Sequence, residues 1–419
     1  MDIKQHPTLS YKKNKLHLSG TCIHSITKEL KTPFYLYNVE ALERNFLNFS
    51  NCANDHNIFE PLVCFALKSN PNLNLLKSLK RLGAGADIVS GGELKQALKA
   101  KISPMKIVFS GVGKTEEEIT LALNSHPQGI YSFNVESVEE LEMIAKVSKK
   151  LNKVARVALR LNPQVNVKTH KHISTGGKSH KFGILKSDIE GILKNKKLLK
   201  NVLLVGLSIH IGSQLTCLKA TEKALKELSN LALACDQDLE FLDVGGGLGV
   251  PYHPDEPLSS IDEYMSLVST TIEKYYTSKK GSHQRQPRIV FEPGRYIVAN
   301  TGVLVTSVIR TKSSEENKFI IVDGGMNDFV RSSLYGAYHH VLPLNKRSGV
   351  LKASHVVGPI CETADSFASN RELPPIKTND RICIGDVGAY GFSMSSIYNM
   401  REKIKEYVID KEGVLISHK

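Results

Sequence analysis

Val63-Cys64-Phe65-Ala66-Leu67-Lys68-Ser69-Asn70 is the stretch that decides the fold. Its apolar run suits a buried strand and is too short for a helix, and a lysine stands where the strand ends. Outward from it the same texture recurs. Ala86–Val89, Ile107–Phe109, Ile130–Phe133, Val154–Leu161, Val205–His210, Phe241–Val244 and Ile289–Phe291 read as further short strands. Apolar residues at helical spacing fill Leu73–Leu82, Glu93–Lys99, Ser137–Leu151 and Cys217–Ala234 between them. Strands that alternate with helices pair in parallel through right-handed crossovers. About eight such units in roughly 230 residues predict an α/β fold, a (β/α)8 TIM-like barrel rather than an open sheet.

Beyond Glu292 the texture changes. Thr301–Ile309, Phe319–Val322, His355–Val357 and Arg381–Ile384 read as strands with few long helical patterns between them, a mainly β C-terminal domain. The expected organisation is an N-terminal segment, residues 1–37, joining the β domain; a barrel over 38–292; and the β domain over 293–419. A chain of 419 residues is long enough for two domains.

Composition narrows the class. With 41% hydrophobic and 23% charged residues, the chain reads as an ordinary soluble protein. No apolar run reaches membrane-spanning length, and the polar, lysine-dotted N-terminus does not read as a secretory signal. Seven scattered cysteines without a C-x-x-C pair predict reduced thiols, hence a cytoplasmic protein without a structural zinc site. The net charge of +13 raises the question of nucleic acid, but the lysines are dispersed apart from Lys194–Lys200, and no aromatics interleave with them. A solvated basic surface is expected instead, with neither nucleic-acid nor membrane partners.

A barrel enzyme carries its working residues just past its strands, and the candidates collect there. Lys68 follows the first strand, and Ser90-Gly91-Gly92-Glu93 the second. Arg160 ends the fifth, and His210-Ile211-Gly212-Ser213 follows the sixth. Gly245-Gly246-Gly247 follows the seventh, and Glu292-Pro293-Gly294-Arg295 the eighth. A partly desolvated lysine can attack a carbonyl, although a lysine snorkelling from the rim fits the same position. Consecutive glycines let backbone N–H groups cradle a phosphate, or simply make a tight turn. Glu292 suits a protonated ring nitrogen, or an ion pair with Arg295. His210 suits a flat face against a ring, or a core histidine bonded to backbone. His170, His172 and His180 crowd one segment without cysteine or carboxylate at ligand spacing, so no metal is expected.

Taken in order from Thr32-Pro33-Phe34-Tyr35 to Tyr398-Asn399, these motifs resemble the diaminopimelate decarboxylase family. That family lies within the alanine-racemase-like, fold-type III pyridoxal-phosphate decarboxylases. The resemblance implies pyridoxal 5′-phosphate as cofactor, joined to Lys68 as a Schiff base. Asp87, Arg160, His210 and Tyr390 match positions around the cofactor. Ser213, Gly245, Gly246, Gly247, Gly294 and Arg295 match the phosphate-binding and neighbouring positions, and Glu292 matches the partner of the ring nitrogen. Arg295, Arg331, Tyr335, Glu362 and Tyr390 match substrate contacts. Lys68, Cys361, His210 and Glu292 match the catalytic set, with Cys361 and Glu362 entering the neighbouring subunit's site in a homodimer. The implied reaction is decarboxylation of meso-2,6-diaminopimelate to L-lysine and CO2. The alternative is a related decarboxylase for ornithine, lysine, arginine or a secondary-metabolite precursor. Departures from the family pattern are Leu67 and Ser69 around the lysine, Ser332-Ser333 after Arg331, and Thr363-Ala364 after Glu362.

Overall fold

The computed structural model describes residues 3, 6–165, 181–195, 197–279, 286–315 and 317–417. It divides into two compact units. One comprises Met1–Asn45, Pro251–Glu256 and Ile297–Lys419, the other Phe46–Val250 and Pro257–Tyr296.

The second unit is a closed barrel of strands β1 (Leu62–Ala66), β2 (Gly85–Ile88), β3 (Ile107–Phe109), β4 (Ser132–Val135), β5 (Ala155–Leu161), β6 (Val202–Ile209), β7 (Phe241–Asp243) and β8 (Arg288–Phe291). Every neighbouring pair is parallel, and β8 returns to pair with β1. Strand side chains alternate in direction, so residues two apart share the barrel interior. The lower interior is apolar: Leu62, Cys64, Val108, Tyr131, Ala158, Val205, Phe241 and Val290 form one buried cluster. Two residues further along the same strands, the interior turns polar. Val108 is followed by Ser110, Ala158 by Arg160, Phe241 by Asp243 and Val290 by Glu292, all of them buried. The bottom of the barrel therefore supplies packing, and the top carries polar groups.

Arg156 closes the lower end by a bidentate pair with Glu240, at 3.1 and 2.7 Å, while lying over the Tyr131 ring. Tyr131, whose N–H donates to the Pro104 carbonyl, packs against Phe241 at 5.0 Å between ring centres. This use of Tyr131 accounts for β4 starting at Ser132 rather than at Ile130.

In the first unit, the long strand Gly302–Ser313 pairs antiparallel with Phe34–Asn38, Lys318–Val322 and Arg381–Ile384. Phe34–Asn38 pairs in parallel with Lys405–Ile409 on its other side. Their inward residues, among them Phe34, Leu36, Val303, Val305, Cys383 and Ile409, bury with Leu342 and the N-terminal Leu9, Leu16 and Leu18 in one core. Among the described residues, no helix is long and apolar enough to cross a membrane.

Candidate active site

At the C-terminal end of the barrel, Lys68 sits in a single 3-10 turn, Leu67–Ser69, directly after β1. Its Nζ donates to Asp87 Oδ2 at 2.6 Å. Asp87 lies on β2, fully buried, and its other oxygen has no hydrogen-bond partner. The lysine is thus held at the barrel mouth rather than splayed into solvent.

The strand end next to it, after β8, is acidic. Glu292 Oε1 accepts from Ser110 Oγ and from Asn134 Nδ2, each at 3.2 Å. The same amide donates to Asp243 Oδ2 at 2.9 Å, while Asp243 Oδ1 accepts from Gly245 N at 2.9 Å. Burial, and after it the Asp243 and Asp87 carboxyls, push Glu292 well above the usual carboxylate range. Burial also raises Asp243, so the pair readily holds a proton.

His210 Nδ1 accepts from the Gly246 N–H at 3.2 Å and lies 3.8 Å from Glu292 Oε2. An Nδ1 that accepts leaves the proton on Nε2. Burial, then the Arg160 and Lys68 cations, pushes the imidazole well below its usual value, so it is neutral. Among the described residues, Glu292 therefore has no cation in bonding contact.

Arg160 is oriented by Glu136, whose Oε1 accepts its Nη1 at 2.6 Å, and lies over the Phe182 ring. Glu136 also accepts from the N–H groups of Gly111 and Gly183, tying three strand ends together. The glycine turn after β7 is closely packed. A Cβ on Gly246 would collide with the Glu292 carbonyl, and Gly247 has a φ of +101°. Arg295 Nη2 donates to Ser213 Oγ at 3.0 Å. Gly294 faces Ser69 and Ala66, so the turns after β8 and β1 touch.

Asp87, Arg160, His210, Ser213, Gly245–Gly247, Glu292, Gly294 and Arg295 thus all belong with Lys68 to one barrel unit. Ser110, Asn134, Glu136 and Asp243 were not anticipated. They are short polar residues at strand ends, and only the period-two continuation of the apolar layer signals them.

The remaining candidates lie in the other unit. Arg331 opens the helix Arg331–Tyr335, buried, with its guanidinium over the Tyr252 ring at 4.5 Å. Its Nη1 donates to His339 Nε2 at 3.2 Å, while His339 Nδ1 donates to the Gly385 carbonyl at 2.9 Å. This arrangement fixes His339 as a neutral imidazole and keeps its lone pair toward the arginine. Tyr390 follows a glycine-flanked turn at φ +57°. Cys361 and Glu362 are exposed; Cys361 N donates to Asn399 Oδ1 at 3.2 Å, and Glu362 Oε1 accepts from the Tyr398 hydroxyl at 2.5 Å. His170, His172 and His180 lie outside the described residues.

A family model described as "Pyridoxal-dependent decarboxylase, pyridoxal binding domain" matches residues 40–299. The chain belongs to the pyridoxal-dependent decarboxylases. Within this group it is similar to the diaminopimelate decarboxylase of Aquifex aeolicus, 37% identical, with 99% of this chain and 95% of the relative covered. It is also similar to that of Pseudomonas fluorescens, 40% identical, at 96% and 93% coverage. Among solved structures, a diaminopimelate decarboxylase from M. jannaschii in co-complex with L-lysine superposes with a TM-score of 0.90 at 33% identity. That match covers 99% of this chain and 95% of the other. As a pyridoxal-dependent decarboxylase the enzyme takes pyridoxal 5′-phosphate. The barrel residues fit such a group in three respects. A buried acid lacks a cation that a protonated ring nitrogen provides, a buried Asp87 oxygen lacks a partner, and a glycine turn admits no side chain.

Proposed function

We propose that this enzyme decarboxylates meso-2,6-diaminopimelate to L-lysine and CO2, the last step of lysine biosynthesis. The observation that carries the chemistry is the Lys68–Asp87 contact at 2.6 Å at the mouth of a barrel that also carries the Asp243–Glu292 acid pair. The choice of substrate is supported by similarity to diaminopimelate decarboxylases along nearly the whole chain.

Pyridoxal phosphate, when bound, supplies the carbonyl that engages an amine and the ring that accepts the electron pair left by departing CO2. Lys68 anchors the group, and Asp87 orients its Nζ. Glu292 holds a proton at the ring nitrogen, with Asn134 and Ser110 fixing its carboxyl. Neutral His210 would face the ring, its orientation set by the Gly246 N–H. Ser213, Gly245–Gly247, Gly294 and Arg295 receive the phosphate, while Arg160 and Tyr390 complete the surroundings. At the substrate's distal end, Arg295, Arg331 and Tyr335 take the carboxylate and Glu362 the ammonium. A site that pairs both charges rejects lysine and ornithine, whose distal ends carry only the cation. Cys361 Sγ or Lys68 Nζ returns the proton to the product carbon.

The working form is a cytoplasmic homodimer in which Cys361 and Glu362 serve the partner's site. Its partners are an amino-acid substrate and a second copy, rather than nucleic acid. Support comes from the surface around this pair, where Ile397, Tyr398 and Met400 expose 66%, 45% and 95% of their area. The test is CO2 release by the holoenzyme from meso-diaminopimelate, L-lysine, L-ornithine and L-arginine in parallel. Release from diaminopimelate alone is expected. Release from another of the four, with none from diaminopimelate, overturns the assignment.

A further inference from the structure

We propose that Cys52, His56 and Asp262 form a binding site for a zinc-class divalent cation on the outside of the barrel unit. One ligand atom from each lies within 4.8 Å of the other two. Cys52 stands in the last turn of the helix Val39–Asp55 and His56 just beyond it, four residues apart and hence on one face. Asp262 occupies the first turn of the helix Ile261–Tyr275, a turn fixed by a Ser260–Glu263 capping box. The two segments are already joined. His56 Nε2 meets Asp262 Oδ1 at 2.9 Å, and the His56 carbonyl accepts from Ser269 Oγ at 2.9 Å.

Zinc bonds of about 2.0–2.3 Å in a tetrahedron put ligand atoms about 3.3–3.8 Å apart. Small rotations therefore bring the three atoms to that spacing without moving either helix. Thiolate, imidazole and carboxylate together favour zinc over magnesium or calcium, which prefer oxygen ligands. The Asp262 side chain is 77% exposed and His56 23%, which leaves a fourth position for water. Zinc entry forms a Zn–S bond and releases the thiol proton to solvent, one proton per ion.

A second cluster, His6, His340 and Asp386, has the same residue count and fails the same test. His6 Nδ1 accepts backbone N–H groups from Thr8 and Leu9 at 3.2 and 3.0 Å. Its proton is therefore on Nε2, donated to Asp386 at 3.1 Å, and no nitrogen lone pair remains for a metal. His56 differs in that its Nε2 meets Asp262, itself a proposed ligand, while among the described residues no backbone N–H donates to its Nδ1.

The test is titration of the chelator-washed holoenzyme with Zn(II), and separately with Co(II) as a spectroscopic probe. Expected are one tightly bound zinc per chain, release of one proton, and a near-ultraviolet thiolate-to-cobalt band. Cys52→Ser should lose the band and the proton release while still releasing CO2 from substrate, and Asp262→Asn should weaken binding at least tenfold. Absence of an equimolar site overturns the proposal. So does a site and band that persist unchanged in Cys52→Ser.

Discussion

Three side chains at the barrel mouth carry separate, separable burdens. Lys68→Ala should abolish the absorbance of covalently held cofactor and lower turnover by at least about a thousandfold, because anchor and amine vanish together. Glu292→Gln should keep the anchor but lower kcat by about 10²–10³-fold, since an amide cannot balance a proton at the ring nitrogen. Glu93 gives a different kind of expectation. Its Oε2 accepts from Val89 N at 2.8 Å, and burial pushes its carboxyl up to about 7 from a usual value near 4.5. The folded protein then binds more protons than the unfolded chain between those values, so stability falls as pH rises through that window. Glu93→Gln should add up to about 3 kcal/mol at pH 8 and nothing at pH 4, read by denaturant unfolding at both. Sequence reading located Lys68, His210 and Glu292 because each ends a legible strand. It passed over Asn134 and Glu136, whose roles exist only once neighbouring strand ends meet. It also passed over the Cys52–His56 spacing, because the third ligand lies 206 residues further along the chain.

The strand is the element at which packing and chemistry divide. On β7, Phe241 fills the apolar layer and Asp243, two residues on, joins the acid pair. Phe241→Ala should cost about 3–5 kcal/mol in unfolding free energy. Gly246→Ala acts in the other layer, pushing a methyl group against the Glu292 carbonyl, and should reduce cofactor retention more than stability. Comparing unfolding midpoints and bound-cofactor absorbance for the two variants checks this division. All eight barrel strands were legible as short apolar runs, to within a few residues at their ends. Helices Glu116–Asn124, Lys186–Lys194 and Ile261–Tyr275 were not read, although Thr115-to-Glu118 and Ser260-to-Glu263 are capping boxes visible in the sequence. In the first unit, Ser366–Leu373 was missed because its outer residues are polar and its burial does not alternate.

At the scale of the molecule, the expected dimer makes a quantitative claim. Neither Lys68→Ala nor Cys361→Ala homodimers should turn over substrate efficiently. Equal mixing with subunit exchange yields half heterodimers, each with one intact site of two, so about a quarter of wild-type activity should return. No recovery, with exchange verified, means that Cys361 serves its own subunit or none. A mainly β domain beside the barrel was anticipated from the change of texture after Glu292, whereas the return of Pro251–Glu256 to the first unit had no signal in local sequence.

The central claim is that Lys68 anchors the cofactor at the end of β1. Borohydride reduction of the holoenzyme, followed by proteolysis and mass mapping, tests it most directly by fixing pyridoxal phosphate to the lysine that holds it. The modification is expected on the peptide containing Lys68, at one per chain. Its appearance on another lysine, with Lys68 unmodified, would contradict the account.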